Sequence, residues 1–262
     1  MIAIPSYMRW HKPIKTIEQF PEHMYPQIKV FVRDYEVEPY RKVVPKGVEL
    51  IKLYESTDMA TTRNEMLKHM EGDWVVLDDD LSFREYNKLE RGYRNASPES
   101  CVRLYRELRR LLNAGFIHAS VAAPVVGARH KGKLLHNTRY YAVTALSASA
   151  FKKMGITYRT KCMSDFDVNL RLLRLGFPSA IITKWILQTS ANDEGGCSVY
   201  RTTENHLQSA KRVAKFHKGF VKIVRASAWK GMDDRFDVRI SWDKAYKSAK
   251  TKRIPMGYNG KI

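Results

Sequence analysis

The sequence predicts an α/β protein, with a mostly parallel sheet flanked by helices and a basic C-terminal extension. Three observations carry this. Short apolar runs, each closed by polar or turn residues, alternate with helical stretches, as in strand and crossover units. The fourth run ends in three consecutive acids, Asp78-Asp79-Asp80, at the edge where open sheets of this class bind ligands. Charge is also segregated along the chain. Basic and acidic side chains number 15 and 17 in residues 1–100, 15 and 5 in 101–200, and 16 and 5 in 201–262.

The elements follow in order. Ile2–Ile4, Ile28–Val32, Val48–Leu53 and Trp74–Leu77 have the length and composition of buried strands. Thr16–Phe20 and Thr61–Met70 are helical stretches between them. Ser97-Pro98-Glu99 announces a helix, with a capping hydroxyl, proline at the first position and an acid in the first turn. That helix runs to about Asn113 and stops at Gly115. Phe116–Val126 and Arg139–Leu146 read as strands, and Asp165–Leu175 as a helix ended by Gly176. Ala180–Leu187 is a further strand, Asn192–Ser198 a loop and Thr203–Lys218 a helix. After Lys222 the tail mixes Lys and Arg with Trp229, Phe236, Trp242, Tyr246 and Tyr258. The expected division is a core over 1–200 and a helical, aromatic extension over 201–262 packed on it.

Composition excludes several classes. Of 262 residues, 46 are Lys or Arg and 27 Asp or Glu, a formal charge of +19 that points to a polyanionic partner such as nucleic acid. Leu108 to Ser164 contains no acid in 57 residues and ten basic side chains. A merely solubilising surface mixes both signs. Cys101, Cys162 and Cys197 lie far apart, which argues against a disulfide scaffold or a structural zinc site. No apolar run approaches the ~18 residues of a membrane span, and the first residues lack a signal peptide's pattern. The expected location is cytoplasmic, with no membrane partner.

Three adjacent carboxylates repel one another, and a hard cation such as Mg2+ or Mn2+, bound by oxygen and sharing its shell with phosphates, would hold them together. Five segments in register then resemble the nucleotide-sugar glycosyltransferases of the GT-A (Rossmann-like) fold. Ile2-Ala3-Ile4-Pro5-Ser6-Tyr7-Met8-Arg9 is similar to their first strand and nucleoside loop, and Asp34 stands where an acid reaches the uracil. Thr62-Arg63-Asn64 resembles the helix start whose arginine meets the donor. Asp78-Asp79-Asp80 resembles the DxD motif, and Ser164-Asp165-Phe166-Asp167 the helix that carries the catalytic base. The resemblance implies that Asp78 and Asp80 hold the metal and that Pro5, Ser6, Tyr7, Arg9, Asp34, Arg63 and Asp79 bind a UDP-sugar. It makes Asp165 the base. Two departures stand out. Ser164 replaces the motif's first acid, and the strand ending Leu187-Gln188-Thr189-Ser190 lacks the metal-binding His of many relatives. Gln188, Asn192 and Asp193 stand near that position, and His206 and His217 lie further on.

Gly127 to Lys133 matches the GxxxxGK core of a phosphate loop, but Leu134 replaces the Ser or Thr that would hold magnesium. The segment reads better as a basic hairpin tip, with Arg129, His130, Lys131 and Lys133 on acceptor phosphates. Lys211, Lys215 and Lys218 form a second basic stripe at helical spacing, with Arg212 beside it. The overall likeness is to phage enzymes that add sugars to hydroxymethylated pyrimidines in double-stranded DNA, including those associated with TET-like oxygenases. The segment Gly195-Gly196-Cys197-Ser198-Val199-Tyr200-Arg201 adds to it, and a phage protein of this kind would act in the host cytoplasm. The alternatives are a cytosolic transferase with a glycan or protein acceptor, and a non-catalytic nucleic-acid binder.

Overall fold

The structure, a computed structural model, describes residues 1–189, 195–199, 201–226, 235–258 and 260. β1 (Ile2–Pro5), β2 (Ile28–Arg33), β3 (Glu49–Leu53) and β4 (Asp73–Leu77) lie side by side in the order β3-β2-β1-β4, all parallel. Successive side chains on a strand point to opposite faces. Ile2, Ile4, Val75 and Leu77 therefore enter one core, and Ala3, Trp74 and Val76 another. α1 (Val37–Arg41) and α3 (Pro98–Asn113) cover the first face. α2 (Met59–Lys68) covers the second, joined by α5 (Ala148–Lys153) and α6 (Ser164–Arg174).

Six more strands extend the sheet: β5 (Leu81–Asn87), β6 (Gly92–Asn95), β7 (His118–Ala122), β8 (Leu134–His136), β9 (Val143–Ser147) and β10 (Ala180–Thr189). The full order is β3-β2-β1-β4-β9-β7-β10-β5-β6, with β8 also paired to β10. β1 to β4, β6, β7 and β10 run one way, and β5, β8 and β9 the other, so the sheet is mixed and mostly parallel. Beyond it, α7 (Thr203–Phe216), the antiparallel pair β11 (Val221–Arg225) and β12 (Phe236–Ile240), and α8 (Trp242–Lys247) gather on α6. Phe166, Leu170 and Leu173 of α6 share a core there with Ala210, Val213 and Tyr246. No helix among the described residues is long and apolar enough to cross a membrane.

Several expectations are corrected. Phe116–Val126 is not one strand: β7 ends at Ala122, and Pro124, which suits the first position of a helix, opens α4 (Pro124–Arg129). Arg129–Lys133 is consequently no hairpin tip but the end of α4 and its turn into β8. Arg139–Leu146 shortens to a strand that begins at Val143, because Ala142 adopts φ 61. Thr16–Phe20 supplies only one 3-10 turn, Ile17–Gln19. α7 ends at Phe216, which leaves Lys218 beyond the helix. Three aromatics of the tail are packing residues, as their spacing more often means: Tyr246 is buried, Trp242 meets Phe166 edge to face, and Tyr258 stands edge-on to both Phe116 and His136. Trp229, Ser190, Asn192, Asp193 and Tyr200 lie outside the described residues.

Candidate active site

The loop leaving β1 is fixed from several sides. Ser6 Oγ shares a hydrogen bond with Tyr40 Oη at 2.7 Å and donates to Asp79 Oδ2 at 2.5 Å. Tyr40 Oη also accepts from the Arg9 amide at 3.0 Å, and buried Glu36 accepts from the Met8 amide at 2.8 Å. Met8 itself has φ 55. From the far end of the chain, the Gly196 amide donates to Tyr7 O at 2.8 Å. Gly195 (φ +83) lies so close that a Cβ there would stand 2.7 Å from Met8 O, which restricts the position to glycine.

The three acids differ in burial. Asp79 is buried, and its two oxygens are taken by Ser6 and by an ion pair with Arg9. Asp78 and Asp80 are only half-buried. Arg63, in the second turn of α2, places Nη2 3.4 Å from Asp78 Oδ1, while Arg9 Nη1 lies 3.5 Å from Asp80 Oδ2. The α2 start is rigid, because Asp58 and Thr61 form a reciprocal capping box. Burial pushes the Asp78 carboxyl up; Arg63 opposes this, Asp80 and Asp165 add to it, and the result is about 6. Burial likewise raises Asp79, against Arg9 and Ser6, to about 7. A strand end with this much resisted negative charge suits a divalent cation. Among the described residues no three His, Cys, Asp or Glu side chains are arranged so as to hold a metal ion by themselves. Two carboxylates nonetheless match Mg2+ or Mn2+, which complete their shells with water and substrate phosphate.

Asp165 sits in the first turn of α6, half-buried, within electrostatic reach of Asp78. Burial raises its carboxyl above the usual range, although Arg63, Arg139 and the amides of the helix start pull the other way. Two basic residues at the site were given no role by the sequence reading. Arg139 is exposed, with its guanidinium 4.7 Å from the Phe166 ring centroid and 5.6 Å from that of Tyr141. Arg201 acts on Asp78. Arg139 sits in no motif, and the acid-free stretch around it was its one signal; Arg201 closes the Gly195–Arg201 segment, which by itself gave it no role.

The remaining expected residues fall as follows. Buried Pro5 ends β1. Asp34 is exposed at the end of β2, its Oδ1 accepting from the Tyr35 amide at 2.8 Å. Beside it the Arg33 guanidinium lies 3.6 Å from the Tyr7 ring centroid. Gln188 is on β10, opposite Ser82. His206 and His217 are committed elsewhere, His206 to Phe236 O and His217 to Asp167. Arg129, Lys131 and Lys133 are exposed, His130 half-buried, and Lys131 Nζ donates to Arg91 O at 3.1 Å. The Lys133 amide bonds Thr183 Oγ1 at 2.7 Å, whereas Thr189 pairs with Leu81, the residue after Asp80. The turn thus lies roughly 20 Å along β10 from the acids. Lys211 and Lys215 are exposed on α7, and Lys218 just past it.

No protein-family model matches this sequence, and no curated protein matches it. Solved structures do. The chain is similar to S. aureus TarS residues 1–349 in complex with UDP-GlcNAc, with a TM-score of 0.54 and 14% identity over 82% of this chain and 65% of that one. It is also similar to the mannosyltransferase PcManGT from Pyrobaculum calidifontis in complex with GDP-Man and Mn2+, with a TM-score of 0.52 and 12% identity over 83% and 64%. The fold is GT-A. At this identity the likeness is one of architecture, and the chain spans just under two thirds of the length of each. On this GT-A frame the loops after β1, β2 and β4 form one rim, with Arg63 and Asp165 brought to it by α2 and α6.

Proposed function

We propose that the protein is a metal-dependent glycosyltransferase that moves a sugar from a UDP-sugar to a hydroxyl on a modified pyrimidine, hydroxymethylcytosine or hydroxymethyluracil, in DNA. The observation that carries the transferase reading is the meeting of Asp78, Asp80, Arg63 and Asp165 in one electrostatic cluster beside the β1 loop. That the similar structures hold UDP-GlcNAc, or GDP-Man with Mn2+, supports it. Asp78 and Asp80 would hold the cation, which when bound supplies a Lewis acid for the diphosphate. Pro5, Ser6, Tyr7, Arg9, Asp34 and Asp79 shape or line the nucleotide seat, and Arg63 offers fixed positive charge to the departing diphosphate. Asp165 accepts the acceptor hydroxyl's proton as its oxygen bonds to the anomeric carbon and the bond from that carbon to the phosphate oxygen breaks. A carboxylate raised by burial is the stronger base for this task.

The DNA reading rests on the charge of +19 and on the exposed cations Arg129, Lys131, Lys133, Lys211, Lys215 and Lys218, with His130 beside them. A hydroxymethyl group offers a primary alcohol that unmodified cytosine and thymine lack, and reaching it in a duplex requires unstacking the target nucleotide. The test incubates the protein with unmodified and hydroxymethylated DNA, a panel of nucleotide sugars and Mn2+, followed by mass analysis of the digested nucleosides. A sugar on the hydroxymethylated base alone is the expected result. Faster transfer to a glycan or peptide overturns the acceptor, and the absence of metal-dependent hydrolysis for every nucleotide sugar overturns the transferase.

A further inference from the structure

Two wholly buried titratable groups take no part in the chemistry above. Asp167 and His217 are each 0% exposed. Asp167 lies two residues past Asp165 on α6, and His217 directly follows α7. Asp167 Oδ1 accepts from His217 Nε2 at 2.8 Å. Arg159 grips the same carboxylate in a fork, Nε to Oδ2 at 2.9 Å and Nη2 to Oδ1 at 2.5 Å, and its guanidinium lies 4.1 Å from the Phe216 ring centroid. Across the imidazole, Arg174 Nη1 meets His217 Nδ1 at 3.3 Å and donates to Phe216 O at 3.1 Å. A guanidinium can only donate, so Nδ1 is the accepting nitrogen and Nε2 carries the proton given to Asp167. The end of α7 is thereby bonded to both the first and the last turn of α6.

We propose that buried Asp167 and His217, with half-buried Arg159, form a clamp that positions Asp165, a role that rests on reading Asp165 as the base. Apolar contacts already hold these elements together, since Phe166, Leu170 and Leu173 of α6 pack on Ala210 and Val213 of α7. Such contacts are non-directional. A buried ion pair adds little stability over apolar residues of similar size, and its best-attested use is to fix one arrangement among several. Here it fixes the turn of helix that presents Asp165, where a displacement of about 1 Å costs on the order of a hundredfold in rate.

The test is steady-state hydrolysis of UDP-sugar by water with Mn2+, which needs no DNA. His217→Leu should lower kcat about tenfold or more while the donor KM moves less than about twofold, since a positioning loss is felt in the transition state. His217→Gln, which can still donate to Asp167 and accept from Arg174, should recover most of that loss. Should His217→Leu fail to fold, Arg159→Lys takes its place: it keeps the charge, loses the fork, and should show the same fall in kcat at constant KM. Wild-type kcat in whichever of the two folds overturns the clamp, as does a loss that merely follows the folded fraction and that Gln does not rescue. Asp165→Asn separates the two claims. If it retains hydrolysis, the base reading fails; if it is inactive while the tested clamp variant is normal, only the clamp fails.

Discussion

Asp78, Asp79 and Asp80 are identical side chains with different surroundings, and the difference is one of burial. Asp79 is buried on Ser6 and Arg9, while its neighbours are half-buried, Asp78 beside Arg63 and Asp80 near Arg9. Asp80→Asn and Asp78→Asn should each cut Mn2+-dependent UDP-sugar hydrolysis by roughly a hundredfold or more, the loss being steeper at Asp80, with DNA retention on a column unchanged. Asp79→Ala should instead unseat the β1 loop and raise the donor KM by about tenfold at little cost in kcat. Asp165→Asn should reduce turnover about a hundredfold with donor affinity preserved, as read by kinetics beside calorimetric titration. The triplet was legible in the sequence as a strand-end cluster. The burial of Asp79 was not, because its partners are 73 and 70 positions away.

Asp167 carries a pH signature. Burial pushes its carboxyl up, but the hydrogen bonds from His217 and Arg159 outweigh this and leave it below the ordinary carboxylate range. A depressed carboxyl contributes stability above its unfolded value, near 4, and loses it as pH falls through the folded value. Asp167→Asn should therefore cost stability at neutral pH, on the order of 3 kcal/mol in denaturant titrations. The gap to wild type should narrow as the buffer is taken below about 4.

At the scale of elements, legibility followed the strength of local signals. α3 was readable to the residue because Ser97 accepts from the Ser100 amide and Pro98 fills the first turn. The β5–β6 hairpin was not, because Leu81–Asn87 carries little strand character until β10 pairs with it. β11 and β12 are short and half-exposed, held chiefly by each other and by α7. The basic face of α7 yields a prediction of its own kind. Its Lys211 and Lys215, with Lys218 beyond, are solvated and project away from the core side of Ala210 and Val213. Replacing all three by Ala should lower the slope of log affinity for DNA against log salt by up to about 3, as each phosphate contact contributes roughly 0.9. Hydrolysis of donor in water should stay near wild type.

For the whole molecule, the proposed division into 1–200 and 201–262 concerns a boundary that cuts through a core. Phe166, Leu170 and Leu173 belong to the first part and Ala210, Val213 and Tyr246 to the second. Removing residues 201–262 strips cover from three large apolar side chains worth roughly 2 kcal/mol each. Such a chain should be insoluble or aggregate on gel filtration, and recovery as a stable active monomer would make the extension dispensable. The charge contrast between the first hundred residues and the rest was plain from the sequence. The contact of α6 with the extension was not, because an apolar helix face does not say which partner covers it.

β10 also sets an order in time. β5, β7 and β8 all pair with it, while the parallel set β3-β2-β1-β4 and the β9 that borders it are complete by Ser147. A ribosome emits the chain from its N-terminus, so the hairpin begun at Leu81 waits about a hundred residues for its partner, roughly 5–20 seconds at usual rates of synthesis. During that interval the outer edges of β5 and β7 are open to other strands. The late arrival of Ala180–Thr189 is the step that closes the sheet, and chaperone demand during synthesis should peak just before it.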